Sequence, residues 1–366
     1  MIFIKTVRQT ELIVDTQKIK YNILEIRKFA GSSVNIMPVV KARGYGTGIG
    51  TLPGFFKSVG INMLAVAAVD EGIGLRSRGF EDKIVVLNQI TKDEIETAID
   101  YDLTVGVSSL FENLNLEAQK KKTTIDIHLE IDTGMTRTGL DLKDVEKNLK
   151  NIKKFKNINL EGIYTHLSSS DSDSEYTLFQ IKNFNKAIDI TKNYFNLKYI
   201  HACNTAGFLN FKNAIYNTIR PGIAIYGHFP SEILKNKINL KPSTILKSKV
   251  VFIRKIRPGV SISYNRSYIS SKNMIIATIP IGYADGIFRN YTGKLILNNK
   301  FANIVGVINM DSLMIDITNI PNVELGTEVY IWDNINITVE DIAKNCGTIN
   351  YEILSKLEPR VCKVFI

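Results

Sequence analysis

TIDIHLEIDTGMTRTGLDLKDVEKNLKNIKKFKNINLEGIYTHL, residues 124–167, is the stretch that decides the fold. An apolar, β-branched run (124–132) leads into a mixed, lysine-rich helical stretch around 144–156. A second run of the same kind (160–167) follows. Strands alternating with helices at this spacing read as βα units with a parallel sheet. The alternation continues outward in both directions. VNIMPVVK (34–41), MLAVAAV (63–69), KIVVLNQ (83–89) and LTVGVSS (103–109) precede it, and YIHACN (199–204) and NTIRPGIAIYG (217–227) follow. Helix-like segments such as TKDEIETAID (91–100) and LFQIKNFNKAIDITKNYF (178–195) lie between runs. Eight units in about 200 residues is the count of an α/β fold of the (β/α)8 TIM-barrel type. A doubly wound sheet is the competing arrangement.

From about residue 241 strand-like runs take over: ILKSKVVFIRKI (245–256), MIIATIPI (274–281), KLILN (294–298), NIVGVINM (303–310), SLMIDI (312–317) and EVYIW (328–332). Gly, Asn and Pro punctuate them, which predicts a mainly antiparallel β domain. One late helix, TVEDIAKNC (338–346), has Thr338 at its N-cap position. The expected division is residues 12–240 for the barrel and 241–366 for the β domain, the latter joined by residues 1–11.

The 366 residues are 45% hydrophobic and 22% charged, a soluble globular balance that excludes a mainly disordered chain. No stretch approaches the roughly 18 consecutive apolar residues of a membrane span. The start, MIFIKTVRQTELIVD, has no basic segment followed by an apolar run, so no secretory leader is expected. Cys203, Cys346 and Cys362 are odd in number and far apart, which argues for a reducing, cytoplasmic setting. The net charge of +10 comes mostly from lysines in mixed helical stretches. That pattern reads as a solvated surface rather than a nucleic-acid face.

In a barrel, chemistry gathers on the loops after the strands. The polar residues there are Lys41, Arg137, His166, Asn204 with Thr205, and Arg220 with Gly222. Lys41 closes the apolar run IMPVV. It reads either as a side chain snorkelling at a strand end or as a desolvated amine suited to proton transfer or a Schiff base. The glycine-rich stretch 44–50 does not fit G-x-G-x-x-G, because Ile49 stands at the third glycine place. It reads instead as a loop that brings backbone close to a ligand. No metal-ligand cluster is expected.

VVKARGYGTG (39–48) resembles the lysine motif of the alanine racemase family. HLEIDTGMTRTGL (128–140), THLSSSD (165–171), HACNTAG (201–207), IRPGIAIYG (219–227), ISYNRSY (262–268), PIGYADG (280–286), NMDSLMID (309–316) and INYEILSKLEPRV (349–361) match in the same order. The resemblance spans nearly the whole chain. It implies a pyridoxal 5′-phosphate enzyme that racemises alanine, supplying D-alanine for peptidoglycan, as a homodimer with shared sites. No nucleic-acid or membrane partner is implied. By position, Lys41 matches the lysine that bonds the cofactor, and Tyr264 the second base, supplied by the other subunit. Tyr45, Tyr351, Thr205, Gly222 and Ile223 match groups at the cofactor phosphate, with Asn204 beside them. Arg220 matches the arginine at the pyridine nitrogen. His166 matches the hydrogen-bonded neighbour of the catalytic tyrosine. Arg137, Met310, Asp311 and Tyr283 match groups that orient or admit the substrate.

Racemisation requires a proton to leave Cα on one face and another to arrive on the opposite face, so two bases suffice once the cofactor withdraws electrons. A free tyrosine ionises near about 10 and needs positive charge nearby to act as a base. The His166–Arg220 neighbourhood is the expected source. An arginine at the pyridine nitrogen gives up no proton near neutral pH. A related barrel decarboxylase, which places an acid there, is therefore disfavoured, as is a carrier built of a lone barrel. A racemase of broader or shifted specificity, for serine or basic amino acids, is the alternative. It is raised by departures from the family pattern at Arg43, Gly44 and Thr47. Glu130 also departs, standing where many members have a modified lysine. It is expected to offer its carboxylate directly to Arg137.

Overall fold

The computed structural model describes residues 8–366. The described chain divides into two compact units: residues 19–44 with 49–241, and residues 8–18 with 45–48 and 242–366. Residues 1–7, expected to join the second part, lie outside the described residues. Strand β1 (Glu11–Val14) belongs to the second unit.

The first unit holds eight parallel strands: β2 (Asn35–Ile36), β3 (Met63–Val66), β4 (Lys83–Val86), β5 (Thr104–Val107), β6 (Ile125–Asp132), then β8 (Ile158–Tyr164), β9 (Tyr199–His201) and β10 (Thr218–Ile219). A two-residue strand, β7 (Leu140–Asp141), pairs beside β6 and had no counterpart in the sequence reading. Each of the eight apolar runs contains one barrel strand. They pair in order from β3 to β9, and β10 pairs with β2. The ring closes through a Val39–Ala65 bridge on one side and Arg220 N–H donating to Cys203 O at 2.9 Å on the other. The fold is a (β/α)8 barrel, and the doubly wound alternative falls.

The interior face is set by strand alternation. On β6 the side chains of Ile125, Ile127, Leu129 and Ile131 form one buried face, while His128 and Glu130 lie buried on the other. Space for these large polar groups comes from glycines on neighbouring strands. A Cβ at Gly162 would collide with the His128 ring, and one at Gly106 with the Tyr164 hydroxyl. Between β6 and β8 the register slips: Ile127 pairs with Leu160 but His128 with Gly162. Glu161 is therefore the extra residue of a β-bulge, a device that re-aims a side chain. Outside, the helix Thr16–Ala30 buries Ile19, Asn22, Ile23 and Ile26 along one stripe. Asn22 donates to the carbonyls of Ile225 (3.2 Å) and Lys241 (2.9 Å).

The second unit is mainly antiparallel. β11 (Thr244–Lys249) and β12 (Phe252–Ile256) come from a single run, 245–256, but separate into different sheets. β13 (Ser261–Ile262) and β14 (Tyr268–Ile269) form a small hairpin. β15 (Met274–Ile279), β16 (Lys294–Leu297), β17 (Lys300–Asn303), β18 (Leu313–Asp316), β19 (Glu328–Trp332) and β20 (Cys362–Phe365) complete it. The larger sheet runs β17-β16-β19-β11-β1-β20, with β1 and β20 its one parallel pair. The run 303–310 was expected to be a strand. Only Asn303 lies within one, because Gly306 (φ 76°) turns the chain out of extended geometry. The helix Val339–Cys346 starts as expected, Thr338 Oγ1 accepting from Asp341 N–H at 3.1 Å.

Gly106→Ala is expected to lower stability by about 1–3 kcal/mol through overpacking against Tyr164. Urea unfolding midpoints measure this, and an unchanged midpoint would show that the interior can yield.

Candidate active site

Lys41 follows Val40, whose N–H donates to Ala65 O at 2.8 Å. The backbone then turns left-handed for four residues, Ala42, Arg43, Gly44 and Tyr45, with φ of 51°, 57°, 64° and 54°. Left-handed geometry costs about 1–2 kcal/mol per non-glycine residue, and glycine at position 44 avoids that cost. Two hydrogen bonds hold the turn. Gly44 N–H donates to Val40 O (2.8 Å), and Ala42 N–H donates to Glu71 Oε1 (2.6 Å). Glu71 is fixed in turn by Ala67 N–H, which donates to Oε2 at 2.8 Å. The Lys41 amine is held below the ordinary lysine range, first by desolvation and then by the Arg137 cation. Glu71 opposes the shift and Arg220 adds to it. Lys41 itself remains exposed, so it joins the two readings: a snorkelling stem whose amine has its protonated form disfavoured by desolvation and by the neighbouring arginines.

Arg220 is 2% exposed and forms no ion pair with a carboxylate among the described residues. Its Nη1 donates to His201 Nδ1 (2.7 Å) and His201 O (2.9 Å). Its Nη2 donates to Thr165 O (2.8 Å) and Ala202 O (3.1 Å). The Tyr164 ring lies beneath it, centroid 5.6 Å from Cζ. Four hydrogen bonds thus occupy the terminal nitrogens and leave Nε–H without a partner among the described residues. Burial lowers the Arg220 pKa to about 10, which still leaves it charged at neutral pH.

His166 was expected to share in supplying positive charge, and here the structure corrects the sequence. Desolvation and the facing cations Arg220, Arg137 and Lys41 push its pKa down to about 3. It is neutral near pH 7 and supplies no positive charge of its own. The second correction concerns Glu130. Its buried Oε2 accepts from Gln89 Nε2 at 2.7 Å, and no ion pair joins it to Arg137. Gln89 is oriented by Ser108, whose N–H donates to Oε1 at 2.8 Å. Arg137 sits exposed on the loop after β6. Asp132 shapes that loop, its Oδ1 accepting from Gly134 N–H (2.9 Å) and Thr136 N–H (3.0 Å).

Asn204 caps the helix Thr205–Asn210, its Oδ1 accepting from Gly207 N–H at 2.9 Å. Gly222 N–H donates to Thr205 Oγ1 at 3.2 Å, and Ile223 opens the helical turn Ile223–Tyr226. The opening N–H groups of such a turn have no carbonyl partner within it. Lys41, Arg137, His166, Asn204, Thr205, Arg220, Gly222 and Ile223 all belong to the barrel unit.

The remaining candidates belong to the other unit. The rings of Tyr45 and Tyr351 lie 6.0 Å apart. Tyr283 N–H donates to Asn309 O (3.0 Å) and Ala284 N–H to Met310 O (3.0 Å), which brings Tyr283 beside Met310. Asp285 ends that turn and is clasped by Arg8 (2.5 Å) and Arg360 (2.8 Å), and Arg360 also reaches Asp311 at 2.5 Å. Tyr264 is 66% exposed at the tip of a turn in which Ser263, Asn265 and Arg266 all have positive φ. Ser263 Oγ donates to Val307 O at 2.8 Å. Glu71, Gln89, Tyr164 and His201 were not singled out from the sequence. HACNTAG carried His201 in plain view, whereas Glu71 and Gln89 act on groups distant in sequence and gave no local signal.

A barrel with a pKa-lowered lysine opening a left-handed turn, a buried arginine with one spare donor and a hydroxyl-and-amide cradle is an enzyme of the lysine-anchored cofactor class. The comparisons narrow this. Residues 14–230 match the model of the alanine racemase N-terminal domain, and residues 244–365 that of the C-terminal domain. The chain is 38% identical to alanine racemase 1 of Clostridium acetobutylicum, covering 96% of this chain and 94% of that one. It is 35% identical to alanine racemase of Halothermothrix orenii, covering 97% and 96%. A solved alanine racemase of Clostridium difficile 630 superposes with a TM-score of 0.96 at 32% identity, covering 99% and 97%. The chain belongs to the alanine racemase family. The family depends on pyridoxal 5′-phosphate, and the donor set suits that group: an amine for its aldehyde, Arg220 Nε–H for its ring nitrogen, and Thr205 with the Gly222–Ile223 backbone for its phosphate. No helix among the described residues is long and apolar enough to cross a membrane.

Burial keeps His128, His166 and His201 neutral in the fold. Unfolding frees them to bind protons below about pH 6.5, so stability is present above that pH and is lost as pH falls. Each contributes up to about 1.4 kcal/mol per pH unit. The cofactor-free protein should unfold at lower urea at pH 5.5 than at pH 7.5; equal midpoints would contradict the neutral assignment.

Proposed function

We propose that the chain interconverts L- and D-alanine with Lys41 and Tyr264 as the two bases, Tyr264 reaching the site from the partner subunit of a homodimer. The observation that carries the reading is the lowered Lys41 amine facing Arg137 and Arg220 in a chain of this family. Bound pyridoxal 5′-phosphate supplies the electron withdrawal that makes the Cα proton labile. Lys41 would hold the cofactor through its amine, and the same amine would take or return the Cα proton on one face. Tyr264 does the same on the opposite face. Arg220 would offer its Nε–H to the cofactor ring, and a donor that gives up no proton near neutral pH would moderate the withdrawal and disfavour transamination. Tyr45, Tyr351, Thr205 and the Gly222–Ile223 backbone hold the phosphate, and Asn204 keeps Thr205 in place through its cap. Arg137 and the Met310 backbone orient the substrate carboxylate, while Tyr283 and Asp311 narrow the entry. We assign the activity to the cytoplasm, where D-alanine feeds peptidoglycan.

The test is complementation. Lys41→Ala and Tyr264→Phe are each expected to lower racemisation of alanine about 100-fold or more. Unfolding and refolding the two variants together should restore about a quarter of wild-type activity, because half the dimers carry one intact shared site. No restoration would place both bases in one chain. Unimpaired racemisation by either variant would remove it from the mechanism.

A further inference from the structure

Beneath Arg220 lies a line of buried polar groups that the racemisation chemistry does not use. Arg220 Nη1 meets His201 Nδ1 at 2.7 Å, and His201 Nε2 meets His128 Nδ1 at 2.8 Å. His128 Nε2 approaches Glu161 Oε1 at 3.5 Å. Glu161 Oε1 in turn takes Lys83 Nζ at 2.5 Å, and Lys83 also reaches Asp126 at 2.8 Å and Thr104 Oγ1 at 3.1 Å. Both histidines are fully buried. Tyr164 stacks on His201 at 5.0 Å, and Tyr199 lies beside His128 at 5.4 Å.

We propose that His201 and His128 form a one-way hydrogen-bond relay from Arg220 to Glu161, and that both are positioning residues fixing the Arg220 guanidinium. The chemistry permits only one proton arrangement. A guanidinium has donors and no acceptor, so His201 Nδ1 must be bare. A neutral His201 then carries its proton on Nε2 and donates to His128 Nδ1. His128 must carry its own proton on Nε2, aimed at the Glu161 carboxylate. Reversing either ring would set N–H against N–H. Desolvation, with Arg220 facing His201 and Lys83 facing His128, keeps both rings from taking a second proton, although Glu161 and Asp126 pull the other way at His128. The far end is anchored because Glu161 is the bulge residue of β8, turned inward by the register slip and pinned by Lys83. The last contact is longer than a full hydrogen bond, so it acts as an ion–dipole attraction that sets polarity.

This inference rests on the reading of Arg220 as the group facing the cofactor ring, and its test is separable from that reading. In the holoenzyme with ¹⁵N-labelled histidine, NMR should show both rings neutral and protonated on Nε2 from about pH 5.5 to 8.5. A ring protonated on Nδ1, or titrating near about 6.5, would overturn the relay. His128→Gln keeps the polarity, since its carbonyl accepts from His201 and its amide faces Glu161. His128→Leu does not. In the leucine variant His201 should gain a detectable Nδ1–H population and kcat should fall about tenfold, with KM within about twofold. The glutamine variant should stay near wild type in both readouts. Identical behaviour of the two would reduce the relay to a packing role. Should the leucine variant fail to fold, Glu161→Gln serves, its expected mark being mixed tautomers at His128. Nε2–H tautomers in a protein that does not racemise alanine would uphold the relay and sink the functional reading instead.

Discussion

A guanidinium buried without a carboxylate is the constraint on which the barrel unit depends. Taking such a charge out of water is costly unless hydrogen bonds and polarisable groups replace the lost hydration. Here three backbone carbonyls, one imidazole nitrogen and one aromatic face do so. Each replacement has a structural consequence. The carbonyls of Thr165, His201 and Ala202 lie at or just past the ends of β8 and β9, where all three take the guanidinium and His201 O also keeps its ladder bond from Thr165 N–H (3.2 Å). The imidazole needs a partner on its second nitrogen, which brings in His128. The Tyr164 ring needs room, and Gly106 gives it, while its hydroxyl is satisfied by Leu87 O at 2.6 Å. Barrel interiors are ordinarily filled by layers of branched apolar side chains. This one carries a polar column, and the apolar packing lies on the other face of β6.

The fold was legible because its signal is periodic and repeated. Eight apolar runs each overlap one strand, and the count pointed to a closed barrel; the ring of strand pairings then removed the open sheet. Alternation on β6 puts His128 and Glu130 on one face. What alternation could not show was the partner of Glu130. Charge complementarity pointed to Arg137, seven residues on, but the side chain within reach was Gln89 on the loop after β4. A neutral amide satisfies a buried carboxylate through geometry that no pattern in the sequence encodes. The bulge at Glu161 is of the same kind: one extra residue in β8 reverses the side-chain direction there, which strict period-two reading cannot show. The run 303–310 failed for a local reason, since a glycine at positive φ outweighs flanking β-branched residues.

The lysine turn shows why departures from a family motif need geometry before they can be interpreted. Gly44 breaks the usual pattern, yet a left-handed φ is what glycine tolerates best. The substitution is therefore conformationally easy and calls for no change of substrate. Arg43 occupies the same left-handed run with an exposed side chain. Its backbone strain is carried by the clasp of Glu71 on Ala42 and by the Gly44–Val40 hydrogen bond. Strain of this order persists only where surrounding bonds over-determine the chain. Glu71 meets that need with both of its oxygens on backbone N–H groups.

Electrostatically, the barrel site separates groups that keep one charge state from the one group meant to change. Arg220 stays cationic because even full burial leaves its pKa near about 10. His166 stays neutral because the same burial, with three cations around it, drives its pKa to about 3. The Lys41 amine is shifted below the ordinary lysine range, first by desolvation. Arg137 and Arg220 destabilise its ammonium form, and Glu71 limits the shift from the other side. An acidic limb near neutrality would therefore not belong to His166, although a histidine in the site would be the habitual assignment there. The same two arginines that recommend themselves for a carboxylate and a pyridine nitrogen thus also lower the proton affinity of the Lys41 amine.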